Sequence, residues 1–244
     1  MIWGVKKMDR IDASSAAELI EKLRSIDISV PRRTMGRKTE HTEKYAIVNF
    51  LISRVSESRY KYPISIIHRD KPDFLLQTAR NSIGIECTEA IPKQLAWAQA
   101  LMAEHFPDGL YEPEFFRWNS PKRTKAEMME LLSKSQKKLH GVPVYGDGIE
   151  KDWANWMDKS ICSKTEKLNS PGFEVFERNQ LLIYDNLPKA WNNLNKASAI
   201  LFEKLKCLWI ENVLHFNRVI IETRNYFVEI TPLEIELFKI EEAK

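Results

Sequence analysis

The residues best suited to chemistry are two acids and a threonine in the segment 63–92, PISIIHRDKPDFLLQTARNSIGIECTEAIP. These residues are Asp73, Glu86 and Thr88. Like-charged side chains inside a folded domain repel each other unless a cation lies between them. Carboxylate oxygens are the ligands that Mg²⁺ and Mn²⁺ prefer. Asp73 and Glu86 therefore predict a divalent metal site, with the backbone carbonyl of Cys87 as a further ligand.

A predicted β-hairpin brings these residues together. Apolar and polar residues alternate on both sides of a polar turn at 79–82, which predicts strands at 72–77 and 83–88. An apolar run at 64–67 precedes them. The simpler alternative is an ordinary amphipathic hairpin with acids on its surface, because acids at such short spacings also arise by chance.

The register of the hairpin decides which side chains share a face. With a symmetrical turn, Asp73 pairs with Thr88. In the same register, Leu75 pairs with Glu86. Side chains alternate between faces along a strand, so Asp73, Glu86 and Thr88 share a face, with the carboxylates on a diagonal of roughly 7–8 Å. The opposite, core-side face then holds Phe74, Leu76, Ile83, Ile85 and Cys87.

At these residues the chain resembles the PD-(D/E)XK nuclease superfamily, which has the restriction-endonuclease-like fold. Pro72-Asp73 matches the first half of the family motif, and Glu86 matches the acid of the second half. Thr88 stands where the family usually has Lys. The resemblance covers about residues 40–105 and 175–231. It implies divalent metal binding and the positioning of a water molecule for phosphodiester cleavage.

Two lysines are candidates for the missing motif cation. A helix predicted at 152–168 carries Lys164 beside its apolar face, from where a cation can stabilise charge that develops on a phosphate. Lys93, just after the second strand of the hairpin, is the competing donor. The Thr88 hydroxyl can orient a water molecule on the metal but carries no positive charge. For Lys164, the alternative is an exposed helix lysine.

A third acid, Glu43, is a further candidate ligand. It lies on the apolar stripe of a helix predicted from 42 to about 58, four residues before Ile47. The resembled family often has an acid on its first helix that completes the metal site. The alternative is that an acid in the first turn complements the helix dipole, which is worth about 0.3–1 kcal/mol.

The remaining periodic segments predict a mixed α/β (α+β) fold in which helices flank a central mixed β-sheet. We expect an N-terminal helix and basic arm at 1–38, followed by a nuclease-like domain at 39–244 with a helical insert at about 106–172. The other predicted helices are 16–24, 93–105, 124–139 and 189–209, and the later strands are 181–184, 218–222 and 226–231.

Composition places the chain among globular proteins, with 43% hydrophobic and 29% charged residues in a length of 244. No apolar run approaches the roughly 18 residues of a membrane span, and the first residues lack the apolar region of a signal peptide. We therefore expect a cytoplasmic protein without a membrane partner. The three cysteines are odd in number and widely spaced, which indicates neither a disulfide framework nor a zinc site.

Basic residues are clustered, although the formal net charge is only +3. Lys and Arg concentrate at 32–44 and again at 122–138. Such local clusters can bind phosphates even when the whole domain is nearly neutral. The alternative is a solvated surface.

The favoured hypothesis is a Mg²⁺- or Mn²⁺-dependent nuclease acting on nucleic acid, with DNA preferred over RNA and a homodimer possible. A second hypothesis keeps the fold without the chemistry, as a nucleic-acid-binding or protein-interaction module. A third, an α/β enzyme acting on a small phosphate-bearing or sugar substrate, lacks a Gly-rich phosphate loop, a GxSxG motif and a His-rich cluster.

Overall fold

The computed structural model describes residues 10–55, 60–107, 109–135, 146–187, 193–211, 213 and 215–241. The helices are α1 (Ala16–Arg24), α2 (Thr39–Val55), α3 (Lys93–His105), α4 (Lys125–Ser135), α5 (Gly148–Leu168) and α6 (Leu194–Ile210). The strands are β1 (Arg10–Ala13), β2 (Ile64–His68), β3 (Phe74–Thr78), β4 (Ser82–Ala90), β5 (Arg178–Asp185), β6 (Arg218–Thr223), β7 (Tyr226–Ile230) and β8 (Ile235–Lys239).

The strands form one mixed sheet of eight strands, whose spatial order follows the chain order. Neighbouring strands are antiparallel from β1 to β4, parallel from β4 to β6, and antiparallel again from β6 to β8. Parallel neighbours need long crossover connections, and the chain supplies them as α3 to α5 between β4 and β5, and α6 between β5 and β6. The predicted mixed sheet flanked by helices is confirmed.

The sheet separates two apolar clusters. Side chains of α1 and α2 pack on one face, against β3 residues such as Phe74 and Leu76 and β4 residues such as Ile85 and Cys87. Side chains of α5 and α6 pack on the other face, against Leu181 and Ile183 of β5 among others. Strand β4 is therefore covered on both faces and paired on both edges, so a charged side chain on it is removed from water.

Several sequence predictions agree closely with the helices. The predicted bounds of α1 and α3 are those observed, and the Ser15 hydroxyl accepts a hydrogen bond from the Glu18 N–H at the start of α1. Helix α2 begins three residues earlier than predicted, and α5 begins at Gly148. The predicted helical residues 56–58, 136–139 and 189–192 lie outside the described residues.

The predicted pairing within the β3–β4 hairpin is wrong by two residues. Leu75 pairs with Gly84 instead of Glu86, and Gln77 pairs with Ser82. The turn is tighter than expected because Thr78 bonds across it: the Thr78 N–H donates to the Asn81 carbonyl at 2.9 Å, and the Asn81 N–H donates to the Thr78 hydroxyl at 3.1 Å. A shift of two residues preserves the faces, so the predicted division of side chains between them stands.

The ends of the sheet contain strands that the sequence analysis did not predict. Strand β1 pairs with β2, which joins the N-terminal segment to the sheet, and β8 pairs with β7 at the opposite edge. Residues of α3 and α4 form a third, smaller apolar cluster with Phe116. Within the described ranges, none of the helices is both long and apolar enough to cross a membrane.

Candidate metal-dependent active site

The loop before β3 places Asp73 against β4. Gly84 of β4 lies so close to this loop that an added Cβ atom would come within 3.0 Å of Pro72 Cγ and 2.8 Å of a Phe176 ring carbon. A side chain at position 84 would therefore push the loop outward. Continuing the observed register one residue beyond the pair Phe74 and Ile85 brings Asp73 opposite Glu86. The glycine thus permits the close approach of the two acids.

Asp73 is a buried acid with an unusual proton affinity. Its side chain is held by the Cys87 backbone N–H, which donates to Asp73 Oδ2 at 2.6 Å. Burial, together with the negative charges of Glu86 and Glu43, raises the pKa of Asp73 to about 7. A cation placed among these carboxylates would reverse that effect, because it favours the ionised form.

Glu86 is the most deeply buried of the three acids, with 1% of its side chain exposed. Its Oε1 accepts hydrogen bonds from Lys164 Nζ at 2.6 Å and from Lys167 Nζ at 2.8 Å. Its Oε2 is buried and has no hydrogen-bond partner among the residues that the structure describes. An orphaned buried carboxylate oxygen is costly, and this atom is available to a ligand.

The two lysines come from successive turns of α5. Lys164 is mostly buried, with 18% of its side chain exposed, whereas Lys167 is 41% exposed. The structure thus brings Lys164 to the predicted site, as the sequence analysis proposed. Lys167, which lies just off the apolar stripe of α5, was not predicted to reach it. Both were difficult to predict from the sequence because they are 78 and 81 residues from Glu86.

Glu43 has a partner that the sequence analysis did not identify. Its Oε2 lies 3.3 Å from Nε2 of His68, and the His68 ring stacks on Phe74 with centroids 4.7 Å apart. The His68 Nδ1 is buried and has no partner within the described part of the chain. His68 is the last residue of β2. Its ring therefore connects the first turns of α2 to the Asp73 loop.

The other predicted site residues take more distant positions. Thr88 is half-buried and lines a pocket next to Glu43. Lys93 is exposed at the first residue of α3 and forms no ion pair with any residue that the structure describes. The Cys87 thiol is buried, and burial together with the charges of Asp73 and Glu43 raises its pKa well above the ordinary value. Its sulfur therefore stays protonated and is a poor metal ligand.

The carboxylates suit a small divalent cation of the Mg²⁺ type. Among the described residues, no set of three or more His, Cys, Asp and Glu side chains is arranged to hold a metal ion. Magnesium is commonly bound by only one or two carboxylates, with water and substrate phosphates completing its coordination. Asp73 matches that donor set, as does Glu86 Oε2, which has no partner in the part of the chain that the structure describes, and Glu43 is close enough to influence the charge of Asp73.

No protein-family model matches the chain, and no curated protein or solved structure is significantly similar to it. A functional assignment therefore depends on the geometry of these side chains and on the motif in which they occur.

Proposed function

We propose that the protein is a divalent-metal-dependent nuclease of the PD-(D/E)XK type, with Asp73 and Glu86 as metal ligands and Lys164 as the motif cation. The observation that carries the proposal is the buried pair of acids, in which one oxygen of Glu86 has no partner among the described residues and the other accepts a hydrogen bond from Lys164. Burying charges is unfavourable unless they are paired. This arrangement is more easily explained by function than by stability.

The metal would be Mg²⁺ or Mn²⁺, held by Asp73 and Glu86, with Glu43 and the Cys87 carbonyl as the further oxygen donors that the sequence predicts. When bound, it would neutralise charge on the scissile phosphate and lower the pKa of a coordinated water. The Cys87 N–H fixes the Asp73 carboxylate, so this ligand does not need to reorient when the metal binds. The expected substrate is DNA, because of the resemblance to this nuclease superfamily.

Lys164 would supply the positive charge that Thr88 cannot. Its ammonium group lies on Glu86 Oε1, and a phosphate bound at the acids would therefore be near it. A fixed cation beside a phosphate stabilises the negative charge that accumulates on it during cleavage. Lys167 bonds to the same oxygen but is more exposed, so we assign it a supporting electrostatic role.

A second candidate function is nucleic-acid binding without cleavage. It is favoured by the occupation of one Glu86 oxygen by two lysines, an arrangement that neutralises the acid without a metal. The presence of Thr88 at the position of the motif Lys also favours binding without cleavage.

Cleavage assays separate the two candidates. The purified protein is incubated with plasmid, with single-stranded DNA and with RNA, in Mg²⁺, in Mn²⁺ and in chelator. We expect cutting of at least one substrate with metal and none in chelator. A protein that binds nucleic acid equally well in chelator, and cuts none of the three, has the second function.

A further inference from the structure

A pocket of about 130 Å³ lies beside the carboxylate centre. Its walls come from the basic arm before α2, from the first turns of α2 and from β4. Glu43 lines the pocket, and its charge also acts on Asp73 of the candidate active site. The basic and hydroxyl side chains around it are Arg33, Arg37, Lys38, Thr39 and Thr42.

The pocket walls carry more positive than negative charge. Arg33, Arg37 and Lys38 contribute three positive charges, whereas Glu43 and Glu89 contribute two negative charges, which leaves a formal +1. Glu43 Oε2 also lies 3.3 Å from His68 Nε2, so Glu43 already has a partner besides the pocket residues. The pocket is therefore suited to an anion.

Arg33 and Arg37 each have N–H donors that form no hydrogen bond to described residues. Their Nη2 atoms both lie 2.8 Å from one oxygen of Glu89, which also accepts from the Asn186 side chain at 2.6 Å. Arg37 Nη2 lies in addition 3.1 Å from the Thr42 hydroxyl. A guanidinium has five N–H donors, and each arginine uses only Nη2 in its bonds to described residues. Arg33 Nε is buried without an acceptor in that part of the chain.

Size and geometry select among possible anions. The cavity volume of about 130 Å³ is many times the roughly 10–15 Å³ that one water molecule requires on the same scale, so a tetrahedral phosphate fits. Planar guanidinium groups bind phosphate oxygens in pairs, with charge-assisted hydrogen bonds. The first turn of α2, which contributes Thr39 and Thr42, adds the positive end of a helix dipole.

We infer that this pocket binds a phosphate group of the nucleic acid, next to the phosphate that is cleaved at Asp73 and Glu86. The inference rests on the proposed function for the identity of the molecule that carries the phosphate. Because Glu43 lines the pocket and its charge also acts on Asp73, a phosphate in the pocket would hold the strand in register with the acids. The group is either the terminal phosphate of a strand or an internal one, and both present the same oxygens.

Binding is measured by calorimetry in chelator, so that no cleavage occurs. The probes are inorganic phosphate and a short single-stranded DNA with either a 5′-phosphate or a 5′-hydroxyl. We expect the wild type to bind phosphate-bearing probes, and Arg33→Gln combined with Arg37→Gln to weaken that binding about tenfold or more. Tighter binding of the 5′-phosphorylated strand would identify a terminal phosphate, and equal binding would identify an internal one.

The matched control is Arg80→Gln. Arg80 is an exposed arginine at the other end of β3, and its loss should leave binding unchanged. Because the double variant leaves Glu89 without its arginines, a triple variant with Glu89→Gln removes that unpaired charge and should bind as weakly. Equal weakening by Arg80→Gln, or full affinity in the double and triple variants, would overturn the inference.

This test is separate from the test of cleavage. A protein that cuts nucleic acid but binds the probes equally well with and without its two arginines retains the proposed function and loses the phosphate pocket. A protein that never cuts, but loses its phosphate binding in the double variant, retains the pocket and loses the proposed function.

Discussion

Two buried acidic sites on the neighbouring strands β4 and β5 differ in how their oxygens are used. Asp185 lies at the end of β5. Its Oδ2 accepts hydrogen bonds from Trp153 Nε1 at 2.9 Å and from the Thr223 hydroxyl at 2.6 Å. Its Oδ1 accepts a hydrogen bond from the Leu187 N–H at 3.0 Å. Each of its oxygens is thus bonded to groups of α5, β6 or its own loop. This acid therefore holds α5, β5 and β6 together.

The Asp73 and Glu86 centre has the opposite character. One Glu86 oxygen has no partner among the described residues, and the charges of the acids oppose the ionisation of Asp73. A fully bonded acid contributes to stability, whereas a crowded and partly unbonded pair of acids is unfavourable to stability until a ligand arrives. Burial alone does not distinguish the two sites, because all three acids are less than 9% exposed.

The largest expected effect is on cleavage. Asp73→Asn and Glu86→Gln each remove one charged metal ligand, so we expect cleavage to fall by about 10³-fold or more, since metal catalysis is worth several kcal/mol. Rates of plasmid cleavage in Mg²⁺ measure this loss. Asp185→Asn is the control, because it keeps the size of the side chain and one acceptor oxygen. We expect it to cut at a rate near that of the wild type. An unchanged rate in Glu86→Gln would contradict the assignment.

The second largest expected effect is a change in the free energy of unfolding with pH. The pKa of Asp73 rises from 3.8 when unfolded to about 7 in the folded protein. Between these values the folded state binds more protons, so its free energy of unfolding should fall by a few kcal/mol as pH rises from about 4 to 7. Urea unfolding across this range in chelator measures the slope.

Asp73→Asn should remove this part of the slope and make the protein more stable than the wild type at pH 7. Proteins often give up stability at functional sites in this way. An Asp73→Asn protein with the same pH slope as the wild type would show that Asp73 titrates normally.

Removing the fully bonded acid should have the opposite consequence for stability. Asp185→Ala leaves the Trp153 N–H, the Thr223 hydroxyl and the Leu187 N–H without their acceptor, so we expect a loss of about 3 kcal/mol in the free energy of unfolding. Thermal and urea unfolding measure this loss, and Thr223→Val is a milder test of the same bonds. A stable Asp185→Ala protein would remove the contrast between the two sites.

The smallest expected effect distinguishes the lysines. Lys164→Met should slow cleavage about 100-fold, which is the effect of losing one fixed stabilising group, and Lys167→Met should have a smaller effect because that side chain is more exposed. Lys93→Met is the control, and its rate should not change. A large loss in Lys93→Met with none in Lys164→Met would reverse the assignment of the motif cation.

Much of the fold near the site follows from local patterns. The strong apolar periodicity of α1 and α3 gives their bounds, and alternation along β3 and β4 gives the faces of Asp73 and Glu86. Strand β1 was missed because its four residues, RIDA, carry too little periodic signal. The hairpin register was missed because it depends on the bonds that Thr78 makes across the turn.

The candidate site was predictable only in part, because its components come from separate elements. Pro72-Asp73 and Glu86 are close in the sequence and form a motif, so they were found. Lys167 and His68 reach the acids through the packing of α5 and α2 on the sheet, which no local pattern encodes. A lysine three residues after Lys164 on the same helix was the available signal for Lys167.

Binding of Mn²⁺ tests the central claim most directly. The electron paramagnetic resonance signal of the free ion is followed at pH 8, where Asp73 is ionised, during titration of the wild type, Glu86→Gln and Asp185→Asn. We predict that the wild type and Asp185→Asn remove Mn²⁺ from solution, and that Glu86→Gln binds it at least about tenfold more weakly. Equal binding by Glu86→Gln and the wild type, or no binding by the wild type, would contradict a metal centre at Asp73 and Glu86.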